Sequence, residues 1–221
     1  MRFIQKLLAV IGLTLVAASA GASPAAPVNG SDYRTLDRAQ PTNSGKKVEV
    51  REFFWYDCPH CNAFEPALEA WVKKEGGKID FKRVPVAFRD SFIPQQKLYY
   101  ALEVMGKVDD MQEKIFHAIH VDHQQLETDS QIFAFMSKQP GIDAKKFEAA
   151  YNSFGVQTKV RQAAEMQSDY QIDGVPTLAI AGRYLTSPAI VAGSVGNRPE
   201  PILHQAALQV ASWLVDKSAG K

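Results

Sequence analysis

Cysteine is nearly absent from this chain: 221 residues hold two. A disulfide-dense scaffold that substitutes bridges for a core is thereby excluded. Net charge is also missing, with 25 basic residues against 24 acidic and a formal balance of +1. A basic grip on nucleic acid or anionic lipid finds no support in that balance. Past the first twenty or so residues, no apolar run approaches the roughly 20 residues of a membrane span. No internal repeat is visible.

The N-terminus has its own pattern. In "MRFIQKLLAVIGLTLVAASAGA", Arg2 and Lys6 precede an uncharged stretch over residues 7–18, followed by small residues that fit cleavage after Ala20 or Ala22. This reads as a secretory signal peptide over residues 1–22. Its apolar part, about 12 residues, is short for a membrane span. No cysteine follows the small residues to take a lipid anchor. The mature chain is expected to be exported to a place where disulfides form and persist. Cutting after Ala22 leaves 221 − 22 = 199 residues, enough for one core and an inserted subdomain. Residues 23–45, rich in Pro, Ala, Ser and Gly, read as a flexible lead-in.

"VEVREFFW", residues 48–55, passes from alternation to a continuous apolar run, as a strand does when it becomes fully buried. After Cys58, Phe64, Leu68, Trp71 and Val72 recur at helical steps to about residue 74, with Pro66 expected as a kink. A second strand is expected over residues 78–84. Residues 95–154 show helical periodicity alone, with stripes at Leu98/Leu102/Met105, Met111/Ile115/Ile119, Ile132/Phe133/Met136 and Phe147/Tyr151. Another helix should carry Val156, Val160, Ala163 and Tyr170 and end near Gln171. A strand over 177–181, a two-residue turn at Gly182 and Arg183 and a returning strand form a hairpin. A last amphipathic helix follows "NRPEP". This order gives an α/β sheet sandwich with a helical insertion of about 65 residues. The divisions expected are 46–87 and 155–221 for the sheet-bearing parts and 88–154 for the insertion.

Both cysteines sit in "DCPHC", at the junction of strand and helix. Positions i and i+3 of a helix lie roughly 5–6 Å apart, a separation that suits a disulfide, so Cys58 and Cys61 can close and open a bond with little movement. Cys58, at the helix start, meets free N–H groups and the positive end of the macrodipole, which favour thiolate over thiol. Cys58 is therefore the candidate nucleophile and Cys61, one turn in, the resolving thiol. Pro59 suits the first turn, where a missing N–H costs nothing. His60 places an imidazole beside Cys58, and a nearby cation lowers a thiol's pKa. Asp57 reads as an N-cap, or as a like charge that opposes the thiolate. Glu52, in an otherwise apolar strand, would be buried with a raised pKa unless paired. Trp55 and Trp71 read as core. As a structural staple the four-residue loop would restrict the unfolded chain little. Metal binding is the rival reading, from two thiolates with His117, His120 and His123 nearby. Those histidines advance by about 300° per three residues of helix and read more simply as a solvated face.

"FFWYDCPHC", a helix, a helical insertion, and "GVPT" before a hairpin together resemble the thioredoxin-fold thiol:disulfide oxidoreductases of the DsbA type, over nearly the whole mature chain. The resemblance implies a thioredoxin fold with an inserted helical subdomain. It also implies a periplasmic location and no cofactor beyond the redox-active Cys58–Cys61 pair. The implied partners are exported proteins that carry cysteines and a quinone-linked inner-membrane protein of the DsbB type that restores the disulfide. No nucleic acid is implied, and the working form is expected to be a monomer. It further implies that Pro176 is a cis-proline facing the cysteines, that the backbone of Val175 pairs with a substrate peptide, and that Glu52 mediates proton movement beneath the site. Asp57 departs from the neutral residue expected there. A reductase or isomerase of the same fold would share every residue named, and a thiolate metal carrier or a glutathione-using relative are further alternatives. Cys61 speaks against the last.

Overall fold

Residues 26–219 are described by a computed structural model, so the signal peptide expected over residues 1–22 lies outside the described residues. Residues 26–45, mostly exposed, are tied to the edge of the sheet at several points. β1 (Arg34–Thr35) pairs antiparallel with β5 (Tyr184–Thr186), and Asp32, Tyr33 and Leu36 are buried. Leu36 N–H donates to the Arg183 carbonyl at 2.8 Å and Gln40 N–H to that of Gly182 at 2.7 Å. The composition of this stretch hides two apolar anchors, Tyr33 and Leu36, and a two-residue strand is too short for any period to show.

The sheet runs β1-β5-β4-β2-β3. β2 (Val48–Phe54) and β3 (Ile79–Pro85) are parallel and joined through α1 (Pro59–Glu75), while β4 (Thr177–Ile180) lies antiparallel to β2 on its other side. β2 lies inside the sheet between β4 and β3 and is covered on both faces, so all of its residues but Arg51 are buried, the charged Glu49 and Glu52 among them. α1 passes through Pro66 without ending. The β4–β5 hairpin turns through three residues, 181–183, not two, because Ala181 and Gly182 both take positive φ. Gly182 is required there: a Cβ on it would stand 2.2 Å from the Gln40 carbonyl oxygen.

One face of the sheet packs on α1 and α8 (Glu200–Ala219), burying Val50, Phe64, Leu68, Ile180, Val210 and Leu214 together. The other meets the layer of α2 (Ile93–Val104), α3 (Val108–His120), α4 (Asp129–Met136), α5 (Ala144–Tyr151) and α6 (Phe154–Asp169). Phe53, Phe54, Leu98, Leu102, Ile115 and Phe116 form the core there. α7 (Pro188–Val195) has no counterpart in the sequence reading. Its "PAIVAGSV" is apolar or small almost throughout, so no polar face marks a helical period. Among the described residues no helix is long and apolar enough to cross a membrane.

Candidate active site

β2 ends at Phe54, and four residues later Cys58 occupies the N-cap of α1 with Pro59 at the first helical position. Cys58 is extended, at φ −83° and ψ 114°, and its N–H donates to the Trp55 carbonyl at 3.1 Å. No side chain caps the helix start, so the N–H groups of its first turn are left to face Cys58. The N-cap role expected of Asp57 is accordingly not filled by that residue. Asp57 is instead half-buried, and burial raises its carboxyl, opposed by the charge of His120 and reinforced by that of Glu127.

The two cysteines, both thiols here, differ sharply. The Cys58 thiol is lowered to about 6. Its chief cause is the hydrogen bond from the Cys61 side chain, with burial opposing and the N–H groups of Cys61 and His60 and the charge of His60 assisting. This is the free N-terminal turn at work: backbone donors and a nearby cation stabilise an anion. Cys61 is fully buried and pushed well above the ordinary thiol range, by burial first and then by Cys58. Cys58 therefore ionises first, and Cys61 holds its proton.

Around the pair the chain gathers residues from distant elements. The Val175–Pro176 peptide bond is cis, and the Cys58 thiol reaches the Val175 carbonyl at 3.6 Å. His60 is exposed, and its Nδ1–H donates to Glu200 Oε1 at 2.8 Å, which raises its pKa. Beside His60 and Pro176 opens a cleft of about 420 Å³, lined by apolar Ile172, Val175, Leu185 and Leu203 among others.

Glu52 is fully buried beneath the site. Arg83, its register partner on β3, donates to it from Nε at 3.0 Å and also contacts Glu65 at 2.7 Å and Glu69. Even so, burial and the charge of Glu65 raise Glu52 to about 8, with Arg83 opposing. One of its oxygens, Oε1, has no hydrogen-bond partner. Its charge is felt at Cys61. Trp71 is core, with its N–H donating to Ser212 at 2.8 Å, whereas Trp55 is partly exposed and stacks on Phe92 with ring centroids 3.6 Å apart.

Of the three histidines expected as a solvated face, His117 and His123 are exposed and His120 is not. His120 is half-buried and its Nε2–H donates to the Tyr56 carbonyl at 2.8 Å, while His117 faces Asp122 at 3.3 Å and His123 lies beyond the end of α3. Among the described residues no group of three or more His, Cys, Asp or Glu side chains is placed to hold a metal ion.

Sequence reasoning missed Glu200 and Arg83. Glu200 lies 140 positions from His60 and no local pattern connects them. Arg83 had a signal: on parallel strands a charge in β3 can face one in β2, but the register was not legible.

Residues 87–206 match the family model described as a DSBA-like thioredoxin domain. The thiol:disulfide interchange protein DsbA of Burkholderia cepacia is 51% identical over 188 residues, covering 84% of this chain and 88% of that protein. The protein of the same name from Bordetella pertussis is 38% identical, covering 80% and 86%. Among solved structures, the crystal structure of Pseudomonas aeruginosa DsbA superposes with a TM-score of 0.77 at 31% identity, covering 86% of this chain and 94% of that one. With its two unequal thiols at the head of α1 and this likeness along most of its length, the chain belongs to the DsbA family of thioredoxin-fold thiol:disulfide oxidoreductases.

Proposed function

We propose that the chain works in the periplasm as a disulfide donor to exported proteins, with Cys58 as the sulfur attacked and Cys61 as its partner. The observation that carries this reading is the inequality of the two thiols, one lowered to about 6 and the other pushed up by burial. In the forward reaction a substrate thiolate attacks Cys58 of the oxidised pair. The Cys58–Cys61 bond breaks, a mixed disulfide forms on Cys58, and Cys61 leaves and takes up a proton. The substrate's second thiolate then attacks its own sulfur in the mixed disulfide and expels Cys58 as a thiolate. Two electrons pass from the substrate dithiol to the enzyme pair, and the substrate gains the disulfide.

Each residue at the site has a part in this scheme. The N-terminal turn of α1, opened by Pro59, and the charge of His60 stabilise the departing Cys58 thiolate, which makes the pair oxidising. Glu52, with a carboxyl near 8 and a field that reaches Cys61, is suited to give the buried thiolate its proton. The Val175 carbonyl and the adjoining apolar cleft offer an extended substrate segment a backbone partner and a seat. The pair's own disulfide is the only redox group that the scheme requires. A quinone-linked inner-membrane protein of the DsbB type would take the two electrons back, and the working form is a monomer. Because the Cys58 thiolate is stabilised, the equilibrium with a donor thiol lies toward the dithiol form of the pair. Incubation in glutathione buffers of stepped ratio, followed by thiol alkylation, measures it. The reading requires the dithiol to persist under conditions in which a thioredoxin-like reductase is already oxidised; a disulfide that forms as readily as in such a reductase would instead support the reductase reading.

A further inference from the structure

His60 stands between two anions. On one side it is bonded to Glu200; on the other its charge acts on Cys58. Glu200 occupies the first turn of α8, and α8 is tied to α1, the helix that carries the cysteines. Trp71 of α1 donates to Ser212 of α8 at 2.8 Å, and Ser212 donates in turn to Glu75 of α1 at 2.6 Å. Phe64 of α1 meets His204 of α8 edge to face at 5.2 Å. The carboxylate is thus carried on a platform fixed relative to the thiols. Four residues on, His204 lies 3.6 Å from the same Glu200 oxygen, beyond hydrogen-bond range. It is buried, which lowers its pKa and keeps the ring neutral. Of the two cations lining the adjoining cleft, Arg34 pairs with Asp173 at 3.1 Å and Arg198 donates to the Val195 carbonyl at 3.3 Å. Glu200 therefore accepts its hydrogen bond from His60.

We propose that Glu200 is a positioning residue for disulfide exchange, which acts through His60 rather than on the sulfurs: it fixes the imidazole beside the cysteine pair and supplies the counter-charge that keeps it cationic there. This rests on the reading of Cys58 as the exchanging sulfur, attacked in the disulfide and released as a thiolate. The own charge of Glu200 works against a thiolate, so the sign of the net effect is what decides the matter.

The test is Glu200→Gln in the mature protein, alone and combined with His60→Ala. Glu200 is half-exposed and the change is isosteric, so the fold is retained. An ion pair at such a site is modest, and its loss should shift the Cys58 thiol–thiolate balance about two- to five-fold toward the thiol. Thiolate absorbance reads this directly, and the glutathione equilibrium should move toward the disulfide by a similar factor. The NMR titration of His60 should fall in pH. In the His60→Ala background, adding Glu200→Gln should no longer shift the balance toward the thiol; with only the direct charge of Glu200 left to remove, any change should be small and toward the thiolate. A Cys58 titration that is unmoved or falls in Glu200→Gln would overturn the proposal, as would the same shift in the absence of His60. If Cys58 of the parent does not react with iodoacetamide at neutral pH, the reading of Cys58 itself fails, and the proposal with it.

Discussion

In the reduced protein, Cys58 should make the fold more stable as pH rises from 5 to 8, and the oxidised protein should lack that gain. A thiol whose folded pKa lies below its unfolded value binds its proton less tightly when folded, so stability is gained above the folded value and lost as pH falls through it. The folded value is about 6 and the unfolded value about 8.5. Linkage then gives almost nothing at pH 5, about 1.4 kcal/mol at pH 7 and about 2.6 kcal/mol at pH 8. Cys58 is 7% exposed, so solvent screening takes little from these figures. The loop entropy of the disulfide does not depend on pH and cancels when one compares the gap between the two redox forms at different pH. Cys61 sets the upper limit. Its folded pKa is raised, so above about pH 8.5 the unfolded chain releases a proton that the folded one keeps, and the gap should pass through a maximum there and then fall. Urea titrations of both forms at pH 5, 7 and 8 with oxygen excluded would measure the gap. A gap constant within about 0.5 kcal/mol across that range would refute the acidified thiol and the leaving-group argument built on it.

Glu52→Gln should stabilise the protein at pH 7, on the order of 1–3 kcal/mol, because the folded carboxyl near 8 holds a proton that the unfolded one releases. That gain should vanish below the ordinary carboxylate range in paired denaturant titrations, while disulfide transfer to a peptide slows. Gly182→Ala should cost about 2 kcal/mol or more, since the residue has φ +63° and an added Cβ meets the Gln40 carbonyl. Thermal unfolding of that variant would show whether residues 26–45 are held on the hairpin: an unchanged midpoint would mean that they are not.

What could be read from the sequence was local. The strand over residues 48–54, the helix opened by Cys58 and Pro59 and the hairpin after Pro176 each carry their signal within about ten residues, as periods, turns and caps do. Cys58 and Cys61 could be assigned different tasks because their surroundings follow from position on one helix. The failures were of another kind. Asp57 looked like a cap, yet Cys58 took that place, a matter of one residue in register. β1 is two residues long and is held by its partner strand, and α7 has no polar face. Most of what tunes the site is non-local: Glu200 on His60, Arg83 on Glu52, and His120 on the Tyr56 carbonyl depend on how α8, β3 and α3 come to rest. One-dimensional patterning holds no information on such meetings.

The most direct test of the central claim is a trap. In Cys61→Ser the Cys58 thiolate can still attack a disulfide of an exported protein, breaking that bond, expelling one of its sulfurs as a thiolate and forming a mixed disulfide, and the partner thiol that would break this adduct in turn is gone. Expressed as the full 221-residue chain in a bacterium that exports cysteine-containing proteins, this variant should accumulate mixed disulfides, visible as reducible bands on a non-reducing gel and mapped by mass spectrometry to Cys58. Cys58→Ser should form none. An absence of such adducts, while Cys58 of the trap variant remains open to alkylation, would contradict disulfide exchange at this site.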